Sequence, residues 1–141
     1  MGRLFKPESA GKDRMLLEKG IILAIHELSV QSGMNATTRD LLAYIALSLK
    51  AISETIDASV TAWEKRGYWI KADHYRMEWN WTTIMGEEMK QAILQEDWES
   101  VVKTNALIAQ KLSKVKFAQR NRLGTPWTGS YERLISPKQS H

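Results

Sequence analysis

The chain has 141 residues, 43% hydrophobic and 26% charged, a balance ordinary for a globular protein that buries one core without staples. It contains no cysteine, which excludes disulfides, thiolate zinc sites and a cysteine nucleophile, and is compatible with a reducing cytosol. The net charge of +4 is unevenly spread: residues 1–100 hold 12 Lys and Arg against 15 Asp and Glu, and residues 101–141 hold 8 against 1, which directs the C-terminal part towards a polyanion or an acidic partner unless it is a solubilising tail.

In chain order, residues 1–12 contain Gly2, Pro7 and Gly11 and read as a flexible arm; their mixed charge rules against a secretory signal. Residues 13–32 look helical, with Asp13 able to cap the start and Leu17, Ile21, Ile25 and Leu28 recurring on one face. Their longest apolar run, Ile21 to Ile25, is far too short for a membrane span, so no membrane association is expected and the location is taken as cytoplasmic. Gly33 stops that helix. Thr37 or Thr38 then caps the next, whose apolar face is Leu41, Leu42, Ile45 and Ala46. The pattern breaks near Leu47-Ser48, and a separate helix over 50–66 is expected, with Ile52, Ile56, Val60 and Trp63 inside and Gly67 at a left-handed cap.

The period then changes. In the run 75–81, Tyr75, Met77, Trp79 and Trp81 alternate with Arg76, Glu78 and Asn80, a strand signal, and Asp73-His74 sits where a turn would join this run to 68–72. A β-hairpin is therefore predicted over 68–81. From Thr82 the helical period returns as a pair of helices, the second opening at Asp97 and running to about Gln119. Its far end carries Lys111, Lys114, Lys116, Arg120 and Arg122 without an acid. Gly124, Pro126 and Gly129 break regular structure, leaving 121–141 as an extended basic tail in which Trp127 and Tyr131 look like a docking peptide.

Residues 37–79, about a third of the chain, resemble the winged helix-turn-helix family of the bacterial transcription-regulator type. The resemblance rests on a short capped helix, a second helix from about Ser48-Leu49-Lys50 that ends in Trp63-Glu64-Lys65-Arg66-Gly67-Tyr68, and a hairpin after it. It implies a mostly α (α+β) fold: a winged domain over 13–81, a C-terminal helical pair over 82–120 for packing or dimerisation, and the tail. It further implies a dimeric regulator of double-stranded DNA. Helix 50–66 would read the groove through Lys50, Ser53, Thr61 and Lys65, the wing would add Lys71, His74 and Arg76, and Arg39 would reach a phosphate. Trp98, Val102 and Ile108 are the candidate homodimer contacts. Against a duplex stand Glu54, Asp57 and Glu64, which leave the reading helix neutral. The alternative is a non-enzymatic helical adaptor that docks a protein, its basic C-terminal segment meeting an acidic partner.

Tryptophans beside cations can stack on bases or cage a ligand, or simply anchor the hairpin. His26, His74 and His141 are scattered, and Glu87-Glu88 and Glu96-Asp97-Glu99 read as helix-start acids. Gly124-Thr125-Pro126 lacks the lysine of a phosphate loop. No enzyme, metal or cofactor is expected.

Overall fold

The computed structural model describes residues 6–115 and 124–136. These form five helices: α1 (Ala10–Leu28), α2 (Ala36–Lys65), α3 (Trp69–Leu94), α4 (Trp98–Lys111) and α5 (Ser130–Ile135). No strand occurs among the described residues. The fold is all-helical, which overturns the α+β winged helix.

The central element is α2, about 45 Å long at the usual helical rise. Asn35 starts it, its side chain accepting from Thr38 N at 2.8 Å, while the Thr38 hydroxyl donates back to Gly33 O at 2.9 Å. The two helices expected on either side of Leu47-Ser48 are one. Leu42, Ile45, Leu49, Ile52, Ile56 and Val60 continue a single buried row through that point. The break was apparent only because α2 is covered on several sides, by α1, α3 and α5, so its sequence shows no clean stripe there. Ser48 is buried too, and its hydroxyl is bonded to the Tyr44 phenol one turn back. Gly67, at φ +82°, ends the helix as expected, with Tyr68 N donating to Trp63 O at 2.9 Å.

The predicted hairpin over 68–81 is the first half of α3. Its inward row is Ala72, Tyr75, Trp79, Thr82, Gly86, Met89 and Ile93, stepping by three and four without interruption. Three of these are small. A Cβ placed on Gly86 would stand 3.1 Å from Leu49 Cβ, so α2 and α3 approach closely at that crossing. Of the large side chains that gave the alternating pattern, Tyr75, Trp79 and Trp81 are half-buried against the core, and Met77 alone points to water. Aromatic residues favour strands because they suit half-buried surfaces, and a helix face serves equally well.

Pairs such as Arg14 with Thr55, Glu64 with Arg76 and Ser53 with Thr83 show α1, α2 and α3 packed antiparallel in sequence. Arg14 is buried between them: Nη1 donates to Thr55 Oγ1 at 3.0 Å, and the guanidinium lies 5.2 Å from the Tyr75 ring and 5.8 Å from the Trp79 ring. Glu18, one turn on, has its carboxyl pushed above the usual range by burial, which Arg14 only partly opposes. A raised carboxyl pKa favours the fold while the group is protonated and loses that contribution as pH rises through it. Glu18→Gln is therefore expected to raise the melting temperature near neutral pH and to leave it unchanged in acid, which scanning calorimetry at the two pH values checks.

The expected pair over 82–120 is corrected likewise: residues 82–94 belong to α3, and α4 packs on α3 behind a three-residue turn. Asp97 does cap α4, accepting from Ser100 N at 3.3 Å and Ser100 Oγ at 2.7 Å. Those bonds hold its carboxyl below the ordinary range. The part of the expected extended tail within the described residues is folded. Trp127 is 7% exposed, Ser130 and Leu134 are buried, and Asp40 of α2 accepts from Gly129 N at 3.1 Å and Tyr131 N at 2.9 Å. The docking peptide inferred from Trp127 and Tyr131 docks on its own α2, with Asp40 capping α5 across space.

Candidate functional site

The cations expected to meet phosphate are dispersed, and among the described residues Arg39, Lys71, Arg76 and Lys111 are already engaged. Lys71, His74 and Arg76 lie in the first two turns of α3 rather than on a wing. Arg76 donates to Glu64 Oε2 at 2.9 Å and Asp73 Oδ1 at 3.1 Å, and these carboxylates raise its pKa further. Lys71 Nζ stands 4.4 Å from the Trp63 ring centroid and Lys111 Nζ 6.0 Å from that of Trp81. Arg39 is half-buried with its guanidinium 5.9 Å from both the Trp98 and Tyr131 rings, and its Nε is buried without a hydrogen-bond partner. Each such ring contact contributes about 0.5–2 kcal/mol depending on desolvation. The half-buried tryptophans thus carry the chain's own cations.

Of the remaining predicted residues, Thr61 and Lys65 are exposed on α2, and Lys114 is exposed beyond α4. Lys50 and Ser53 line a cleft between α2, α3 and α5, Ser53 Oγ lying 2.7 Å from Thr83 Oγ1. Lys116, Arg120 and Arg122 lie outside the described residues. The three expected dimer contacts diverge: Trp98 is half-buried beneath Arg39, Val102 is 59% exposed, and Ile108 is fully buried in the core, where no partner can reach it. Among the described residues, no group of three or more His, Cys, Asp or Glu side chains is placed to hold a metal, and no helix is long and apolar enough to cross a membrane.

What sequence reasoning missed is the wet face of α3. Ile70, Met77 and Ile84 are 76%, 76% and 51% exposed. Their spacing of seven places them in one row, roughly half a turn from the buried row of the same helix. The exposed Tyr68 and Trp69 adjoin it at the α2–α3 corner. Single exposed apolar residues are ordinary; three aligned on one helix beside a surface tryptophan form a patch. In sequence the two ends of the row carry opposite net charge, Lys65, Arg66 and Lys71 outnumbering Asp73 about Ile70 and Glu87 and Glu88 following Ile84. The signal was present in the sequence as the seven-residue repeat 70, 77, 84, masked by the period of two that Met77 also satisfies.

No family model, curated protein or solved structure matches this chain.

Proposed function

We propose that the chain is a non-enzymatic helical docking module that binds protein through the wet face of α3, its partner there being a second copy of itself. The single observation behind this is the row Ile70, Met77, Ile84, held out of a core whose facing positions on the same helix are Ala72, Thr82 and Gly86. The row is symmetric about Met77. Two α3 helices crossing antiparallel at Met77 would set Ile70 of each against Ile84 of the other, and the basic end of each against the acidic end of the other, an isologous contact of the kind a two-fold dimer requires. The row spans about 21 Å, which together with Tyr68 and Trp69 fits the small end of stable interfaces and an affinity nearer micromolar than nanomolar.

A duplex is the less favoured partner, since the expected reading helix and wing are both stretches of longer helices and Arg39, Lys71 and Arg76 lie against rings or carboxylates. Light scattering after size exclusion, at concentrations well above micromolar, is expected to give a dimer. Met77→Glu, which brings two carboxylates together at the axis, is expected to weaken dimerisation by at least about tenfold while leaving the helical circular dichroism unchanged. A wild-type chain that stays monomeric sinks the proposal. Duplex binding at low salt that survives Met77→Glu favours the regulator instead.

A further inference from the structure

A cleft of about 290 Å³ opens where α2, α3 and α5 meet. Its apolar lining includes the buried Ala46, Gly86 and Leu134 and the half-buried Leu47. Three cations line it, each from a different helix: Lys50 of α2, Lys90 of α3 and Arg133 of α5. None of the three forms an ion pair among the described residues. The hydroxyls of the cleft are satisfied internally. Ser53 and Thr83 bond each other at 2.7 Å, and Thr82 donates to Trp79 O at 2.8 Å. Of the two carboxylates on the lining, Glu87 accepts from Gln91 Nε2 at 2.9 Å, and the other is Glu54. Arg133 is braced by its own turn, donating from Nη2 to Ser130 Oγ at 3.0 Å and from Nη1 to Thr128 O at 3.5 Å. Those two bonds leave further guanidinium N–H groups to donate.

We infer that this cleft binds a small amphiphilic carboxylate, its head held by Lys50, Lys90 and Arg133 and its apolar body laid on Ala46, Gly86 and Leu134. The three cations suit an anionic head. The volume lies at the lower limit of small-molecule sites, about 300 Å³, so the body is compact. The apolar floor means a bare inorganic anion would lack most of the contact. Arg133 and Leu134 reach the cleft only while α5 is docked through Asp40 and Trp127. A ligand that needs the docked tail stabilises it by mass action, so occupancy and tail docking rise together.

Octanoate and octan-1-ol, the same chain with and without the charge, are the probes. Titration followed by amide chemical shifts is expected to show saturable octanoate binding centred on Gly86 and Arg133, with octan-1-ol at least about tenfold weaker. Arg133→Gln and Lys90→Gln should each weaken octanoate by about tenfold. Hydrogen exchange at the Tyr131 amide should slow as octanoate is added. Lys90 lies on α3, so its variant remains decisive if Arg133→Gln disturbs the tail. Met77→Glu should bind octanoate as the wild type does, which separates this site from the docking face. Equal binding of the acid and the alcohol, unchanged affinity in Lys90→Gln, or no saturable shift in the millimolar range would each overturn the assignment.

Discussion

Trp127→Ala is expected to detach the C-terminal helix from α2. Truncating a buried tryptophan removes about 3–5 kcal/mol where the surroundings cannot close over the gap, and Trp127 is 7% exposed. The segment it anchors is short: α5 has six residues, too few to hold helical structure on its own. Its other fastenings are Leu134, the two amides bonded to Asp40, and the Tyr131 ring beside Arg39. Because the segment can come away without opening the α1–α2–α3 core, the loss should appear first as local release. The amides of Gly129 and Tyr131 would then exchange freely while those of Ile52 and Ile56 keep their protection. Asp40→Ala should act in the same direction by about 1–2 kcal/mol, the usual worth of a helix cap. Unaltered exchange at Gly129 and Tyr131 in Trp127→Ala would show that the tryptophan is not the anchor.

The second large effect lies at the α2–α3 crossing. Gly86→Leu forces a side chain into the space between Leu49 Cβ, at 3.1 Å from the new Cβ, and Ala46 O, at 3.7 Å. Leucine is a better helix former than glycine by roughly 0.8–1 kcal/mol, so on an open helix this change would stabilise. Here overpacking of about 1–3 kcal/mol outweighs that gain. Leu49→Ala alone should cost about 2–5 kcal/mol through the cavity it leaves. Combined, the two changes are expected to destabilise by less than the sum of the singles, with a coupling of about 0.5–3 kcal/mol, measured by urea unfolding of all four chains. Strict additivity would show that the two positions do not touch. The same leucine fills part of the cleft floor, so Gly86→Leu should also lose octanoate.

Much of α2 was legible in the sequence. Ile52, Ile56, Val60 and Trp63 turn inward as their spacing predicts, Lys50 and Thr61 stay wet, and Gly67 takes the left-handed conformation. Asp97 opens α4 by the bond its position promised. The fold class was lost in α3, because sequence patterning equates large apolar residues with the interior. That equation fails at the crossing with α2: Gly86 is inside where a Cβ would already crowd Leu49, the small Ala72 and Thr82 share its buried row, and Ile70, Met77 and Ile84 are outside. The tail failed for a different reason. Nothing around Trp127 betrays its burial, since what buries it is remote in sequence, as the 91-residue separation of Asp40 and Tyr131 shows. Cations can be counted from the sequence, but their pairing with Trp63, Trp81 and Trp98 cannot, and so the sequence offers Lys71, Lys111 and Arg39 to phosphate while the fold sets them on rings.

The clasp between Asp40 and the start of α5 also imposes an order on biogenesis. A ribosome adds about 5–20 residues per second, so on the order of ten seconds pass between emergence of Asp40 and of the backbone that it caps. Throughout that interval the nascent bundle presents bare apolar surface around Ala46 and Leu47. A message cut short before Trp127 would leave that surface permanently uncovered.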